Sequence, residues 1–217
     1  STFLIDGTNR GYVNSPTVYV KDSSFTVQNC TSNGSNGGKF TAINSQIKYE
    51  GNNGHGLSAS DVTIVNSTLN CNNNAYYGLT YSGNMTMDAT AVINANENGY
   101  GYTGGGLRAS SASSTSTVAT GAVINVLNNK RNGVENYGTF TFAEGSKFTV
   151  TGNNEPSTNG GGIYNGGTLN LSSETVIMNN SAAQTGGGIC NAGTVVVPVG
   201  VKLYNNHANI AGDDIYS

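Results

Sequence analysis

The sequence predicts an all-β chain wound as a parallel β-solenoid. Three observations carry that reading: the composition, short period-2 runs punctuated by Gly and Asn, and an internal repeat. Of 217 residues 31 are Gly, Asn is about as frequent, and only 10% are charged; a typical soluble domain is roughly 25% charged. The good helix formers Glu, Lys, Arg and Leu are scarce. No stretch sustains a period-3.6 apolar spacing. A net charge of −3, with frequent Val, Ile, Thr and Tyr, also separates the chain from disordered segments, which carry high net charge and few such residues. Nine basic residues exclude nucleic acid as a main partner. No apolar run approaches the roughly 18 residues of a membrane span, so no membrane insertion by this segment is expected.

The repeat is clearest near the C-terminus. Gly160 to Asn165 reads GGGIYN and Gly186 to Asn191 reads GGGICN, an offset of 26 residues. Leu169 and Val195, Leu171 and Val197, Ile177 and Leu203, and the pairs Asn179-Asn180 and Asn205-Asn206 keep that offset. The unit is an apolar residue, a Gly/Asn turn, two short strands and an Asn-Asn turn.

In chain order, a short piece around Phe3 and Ile5 precedes a copy built on Val13, Val18, Val20, Phe25, Val27 and Asn29. A compressed copy follows at Phe40, Ile47, Tyr49 and Asn52. Leu57 to Asn72 and Leu79 to Asn96 supply two more. Leu107 to Asn128 reads as a long copy, stretched by a Ser-rich insert, Ser110 to Ser116. Val134, Phe140, Phe142, Phe148, Val150 and Asn153-Asn154 lead into the regular pair. Roughly seven to eight coils result, and stacking them buries an apolar face that no single copy can bury. The expectation is one domain over 1–217, irregular over 1–132 and regular over 133–217. Pro16, Pro156 and Pro198 all fall at strand margins or in turns, where a residue without an N–H belongs.

GGGIYN, then GTLNLSSETVIMNNSA, GGGICN and the closing AGDDIY (Ala211 to Tyr216) resemble the degenerate repeats of large bacterial surface proteins, adhesin-like and polymorphic outer-membrane-protein-like. The resemblance covers about 133–217; before that only the strand pattern persists. It implies a right-handed parallel β-helix, exposure at the bacterial cell surface or cell wall, and adhesion or display. It supplies no ligand.

The candidate sites are few. The Gly triplets lack the following Lys of a phosphate loop and read as turns. The acids are scattered: Asp61 precedes its strand and Asp88 follows its own, so the two carboxyls within about 5–10 Å that glycoside hydrolysis needs are not evident. No catalytic residue, metal ligand or cofactor site is therefore assigned. Asp213-Asp214 read as edge charges that discourage strand addition. His55 and His207 read as solvated turn residues, and Cys30, Cys71 and Cys190 as small apolar fillers. An ice-binding solenoid would present an unbroken Thr face; the outward positions Tyr19, Thr63, Thr86, Thr141, Asn170 and Val196 read as an interrupted one.

The tyrosines stand out. Tyr76 and Tyr77 occupy one turn and Tyr100 and Tyr102 the equivalent turn of the next copy, with Tyr81 beside them. Stacked on one edge they would form an exposed aromatic strip fit for sugar rings or a protein partner. The expectation is a non-catalytic adhesin or stalk domain, a monomeric part of a longer extracellular chain, with a host-surface glycan or protein as partner. A carbohydrate-active β-helix enzyme, a polysaccharide lyase or glycoside hydrolase, is the alternative.

Overall fold

The computed structural model describes residues 1–7, 15–101 and 103–217. Among them every regular element is a strand and every strand pairing is parallel. Sheet 1 has nine strands, from Thr2–Asp6 to Lys202–Tyr204; sheet 2 has eight, from Thr17–Lys21 to Thr194–Val196; sheet 3 has eight, from Ser35–Asn36 to Ile215–Tyr216. A short sheet 4 joins Asn154–Glu155, Ser181–Ala182 and His207–Ala208. Each circuit runs from sheet 2 to sheet 1 to sheet 3. Nine strands at about 4.7–4.9 Å spacing make a stack of roughly 40 Å.

The stack therefore holds about nine turns, where the sequence suggested seven to eight. The strand Thr2–Asp6 is a full partner of Ser24–Gln28, and no single period exposes every copy. The first coils repeat evenly at 22 residues: Ser35 pairs with Leu57, and Leu57 with Leu79. The copy that looked compressed around Phe40 is one of these. The stretch Ser110 to Ser116 is only partly an insert, because Thr115–Val118 is a strand of sheet 2.

Alternation builds the core. In Asp61–Val65 the side chains of Val62 and Ile64 point inward and are buried. Sheet 3 stacks Leu57, Leu79, Leu107, Val134, Ile163 and Ile189 in one column. Phe140, Phe142 and Phe148 stack across the interior with centroids 4.3 to 4.6 Å apart. Ser116, an inward residue between Met85 and Phe140, is buried without strain on polarity: its hydroxyl lies 2.5 Å from that of Tyr81.

The Asn-Asn turns split into two roles. The first residue takes the left-handed conformation, as at Asn128 (φ 56°) and Asn179 (φ 55°). The residue after it enters a buried ladder, Asn52–Asn74–Asn98–Asn129–Asn153–Asn180–Asn206, in which Gly51, Glu97 and Gly152 take the left-handed place before Asn52, Asn98 and Asn153. At each rung the backbone N–H and the Nδ2 of one Asn both donate to the Oδ1 of the next; for Asn129 to Asn153 the distances are 3.0 and 2.8 Å. Glycines back the ladder: a Cβ on Gly162 would meet the Gly188 carbonyl at 2.5 Å and the Asn180 Nδ2 at 3.0 Å.

Asp213 and Asp214 are more than edge charges. Asp214 Oδ1 accepts the Asn206 Nδ2 at 2.9 Å and so ends the ladder, while Asp213 Oδ1 accepts the Ala208 N–H at 2.8 Å and lies 3.3 Å from His207 Nδ1. The outward Thr column is also more continuous than the sequence suggested. Register brings Thr41 and Thr117 into line with Thr63, Thr86 and Thr141. The neighbouring column is broken at Lys39, Asp61 and Asn84, which keeps the face from being a two-dimensional hydroxyl lattice.

Candidate functional site

Coil length changes along the stack. Leu79 pairs with Leu107, Leu107 with Val134 and Val134 with Ile163, giving coils of 28, 27 and 29 residues. Among the described residues, 103–106 and 156–162, both between sheets 1 and 3, flank a short turn, 130–133. A cleft of about 230 Å³ opens between them. Thr103 and Gly104 line one wall, Glu155, Ser157 and Thr158 the other, and Tyr77, Arg131, Asn132 and Glu135 the floor. A second lobe of about 120 Å³ adjoins it over Tyr137 and Tyr164, sharing Asn132, Glu135 and Thr158.

Sheet 3 positions the floor. Its strands Leu107–Ala109, Val134–Asn136 and Ile163–Asn165 each turn one residue outward, and register aligns these as Arg108, Glu135 and Tyr164. Glu135 is held from three sides. The Tyr77 hydroxyl donates to Oε1 at 2.5 Å, the Tyr137 hydroxyl to Oε2 at 3.4 Å, and Arg108 Nε lies 3.4 Å from Oε2. The Arg108 guanidinium sits 5.3 Å from the Tyr77 ring and 5.5 Å from the Tyr137 ring, in cation–π range. Burial, and then the Glu135 charge, raise the phenol of Tyr77; the same two causes raise that of Tyr137. Both phenols stay protonated and donate.

The opposite wall is tied as firmly. Glu155, 3% exposed, accepts the Ser157 N–H at 2.9 Å and the Thr158 N–H at 3.0 Å. Arg131 bridges Glu155 at 3.4 Å and Ser157 Oγ at 2.5 Å. Asn132 donates to the carbonyls of Asn159 and Gly160 at 2.7 and 2.5 Å, fixing the short turn to the long one.

The tyrosine strip does not exist as the sequence suggested. Tyr76 and Tyr100 are exposed, at 39% and 54%. Tyr77 is buried and turns its hydroxyl into the cleft. Tyr81 is buried in the core, because alternation along Leu79–Tyr81 sends both Leu79 and Tyr81 inward. Tyr102 lies outside the described residues. His55 is not a solvated turn residue either. Its ring stacks on Tyr77 (5.8 Å, 20°), and its Nδ1 accepts the Tyr77 N–H at 3.2 Å.

Sequence reasoning missed Arg108, Arg131, Glu135, Tyr137, Glu155 and Tyr164. A signal was present: L-R-A, V-E-N and I-Y-N place one chemistry-bearing residue between inward neighbours at the same point of successive coils. Unequal turn lengths hid the alignment.

Fold and cleft together define a parallel β-solenoid with one aromatic, charge-paired cleft on its side. Comparison with known proteins returns nothing further: no family model matches the chain, and no curated protein or solved structure matches it.

Proposed function

We propose that this chain is a non-catalytic adhesive domain of a bacterial cell surface, extracellular and part of a longer protein, which attaches to a glycan or protein of a host or neighbouring cell. The repeat motifs at 133–217 support the surface setting. The observation that carries the binding role is the cleft: its ionised groups are already paired, its rings are fixed, and it sits on a rigid ladder. Such a site offers shape and hydrogen bonding without reorganisation. It offers no idle base or acid. The test is a binding array of glycans and host proteins probed with the intact chain. Binding that falls at least about tenfold in Glu135→Ala supports the role; silence across the array overturns it for this segment.

One observation favours the enzyme reading: Glu135 and Glu155 line the same cleft, and paired carboxyls are the apparatus of glycoside hydrolysis. A polysaccharide cleavage screen, with and without calcium, separates the two. No cleavage is expected. Reproducible cleavage lost in Glu135→Gln would establish the enzyme instead.

A further inference from the structure

We propose that the cleft takes a short neutral saccharide, one or two sugar units, and not an acidic glycan or a cation. The inference rests on the adhesive reading and specifies its ligand.

Charge balance comes first. One guanidinium, Arg131, and two carboxylates, Glu135 and Glu155, line the cleft; Arg131 pairs with Glu155, and Glu135 pairs with Arg108 outside the lining. A sialic acid or uronate would bury its carboxylate beside Glu135 and Glu155, where the lining guanidinium, Arg131, is already held by Glu155. A desolvated, unpaired charge is expensive. An ammonium would find both carboxylates occupied by phenol, hydroxyl and backbone donors. A neutral polyhydroxy ligand carries neither cost.

The rings come second. Tyr137 and Tyr164 lie 5.8 Å apart, tilted by 49°, on the side of the second lobe. Their faces are electron-rich and present an apolar surface that suits the C–H face of a pyranose. Around them stand groups that bond hydroxyls in both senses. The Asn159 Nδ2 donates, its Oδ1 being taken by Thr185, and the Thr158 hydroxyl, which has no partner among the described residues, both donates and accepts.

Size comes third. The two lobes, about 230 and 120 Å³, together lie at the small end of ligand pockets, roughly 300–1,000 Å³. Thr103 and Gly104 flank it on one side and Glu155, Ser157 and Thr158 on the other. A volume of this size suits one or two sugar units.

The experiment titrates the intact chain against three panels: neutral oligosaccharides, acidic ones (sialylated, uronate-containing and sulfated), and host-surface proteins. Binding is expected in the neutral panel. Tyr164→Ala, at a half-exposed outward position, should weaken it about tenfold, Tyr164→Phe should hold it within about threefold, and Tyr216→Ala, an outward residue at the last strand of the same sheet, should leave it unchanged. Tyr164→Ala keeps every strand residue of the core, so an unaltered melting temperature separates loss of contact from loss of fold. Binding confined to the acidic or protein panels overturns the neutral-saccharide proposal and leaves adhesion standing. Neutral-sugar binding that survives Tyr164→Ala overturns the assigned place. No binding in any panel overturns both.

Discussion

Where two asparagines meet in a turn, as at Asn128-Asn129, they carry different loads. Asn128 is there for its backbone: φ is 56°, a conformation that Asn and Gly tolerate. Asn129 is there for its side chain. Its Oδ1 accepts the N–H and Nδ2 of Asn98 at 2.8 and 3.1 Å, and its Nδ2 donates to the Ala95 carbonyl at 2.9 Å and to Asn153 Oδ1 at 2.8 Å. Asn129→Ala strands the Asn98 donors in the interior and should cost about 2–4 kcal/mol, the penalty of more than one buried unsatisfied group. Asn128→Gly should change stability by no more than about 0.5 kcal/mol. Urea unfolding of the two variants checks the contrast; equal losses would refute the division of roles. The doublet itself was plain in the sequence. Which member is structural in which way was not, because two identical side chains differ only in the backbone that carries them.

At the scale of the element, the turns between sheets 1 and 3 decide what the solenoid can do. Their strands repeat with little freedom, but a turn lengthens without disturbing the ladder, and two long turns around a short one suffice to make a cleft. The 22-residue coils show the alternative, where His55, Tyr76 and Tyr77 pack tightly over the surface. Burial, and then the Arg108 charge, hold the His55 imidazole below its ordinary value. The folded state therefore favours the neutral ring, whose Nδ1 accepts from Tyr77. That stability is present in full above about pH 6.5, the unfolded value, and is lost progressively as pH falls below it toward the lower folded value. The urea midpoint of the wild type should fall between pH 7.5 and pH 5.5, and less so in His55→Gln. Imidazole resonances of His55 that titrate at or above about 6.5 would contradict this.

At the scale of the whole stack, the asparagine ladder changes partner after Asn206. Here the Asn206 Nδ2 and N–H are met by Asp214 Oδ1, an isostere of the missing next Asn, at 2.9 and 3.3 Å. Asp214→Ala should speed amide exchange at Asn206 and through the last coil, whereas Asp214→Asn, which keeps the acceptor, should leave exchange close to wild type. Equal acceleration in both would show that charge at the edge, not the accepted bonds, is what matters. The two ends of the AGDDIY motif thus have different partners. Ile215 continues the inward column of sheet 3, and the aspartates close the turn before it.

The sequence by itself determined the all-β parallel solenoid, most of the strand positions, the placement of proline outside strands and most of the inward apolar residues. These follow from local alternation and from residues whose backbone or ladder chemistry admits little else. Only the tertiary structure decided which outward residues meet. Arg108, Glu135 and Tyr164 are separated by 27 and 29 residues, and become neighbours because hydrogen-bond register, not sequence spacing, aligns one coil on the next. The same register brought the Tyr77 hydroxyl to Glu135 and filled the Thr column with Thr41 and Thr117. Turns absorb insertions at little entropic cost, so the residue count between coils loses its information about contact where the coils change length, as between Leu79 and Ile163. A strand can be read from its own residues, whereas the cleft depends on how three successive coils are stacked.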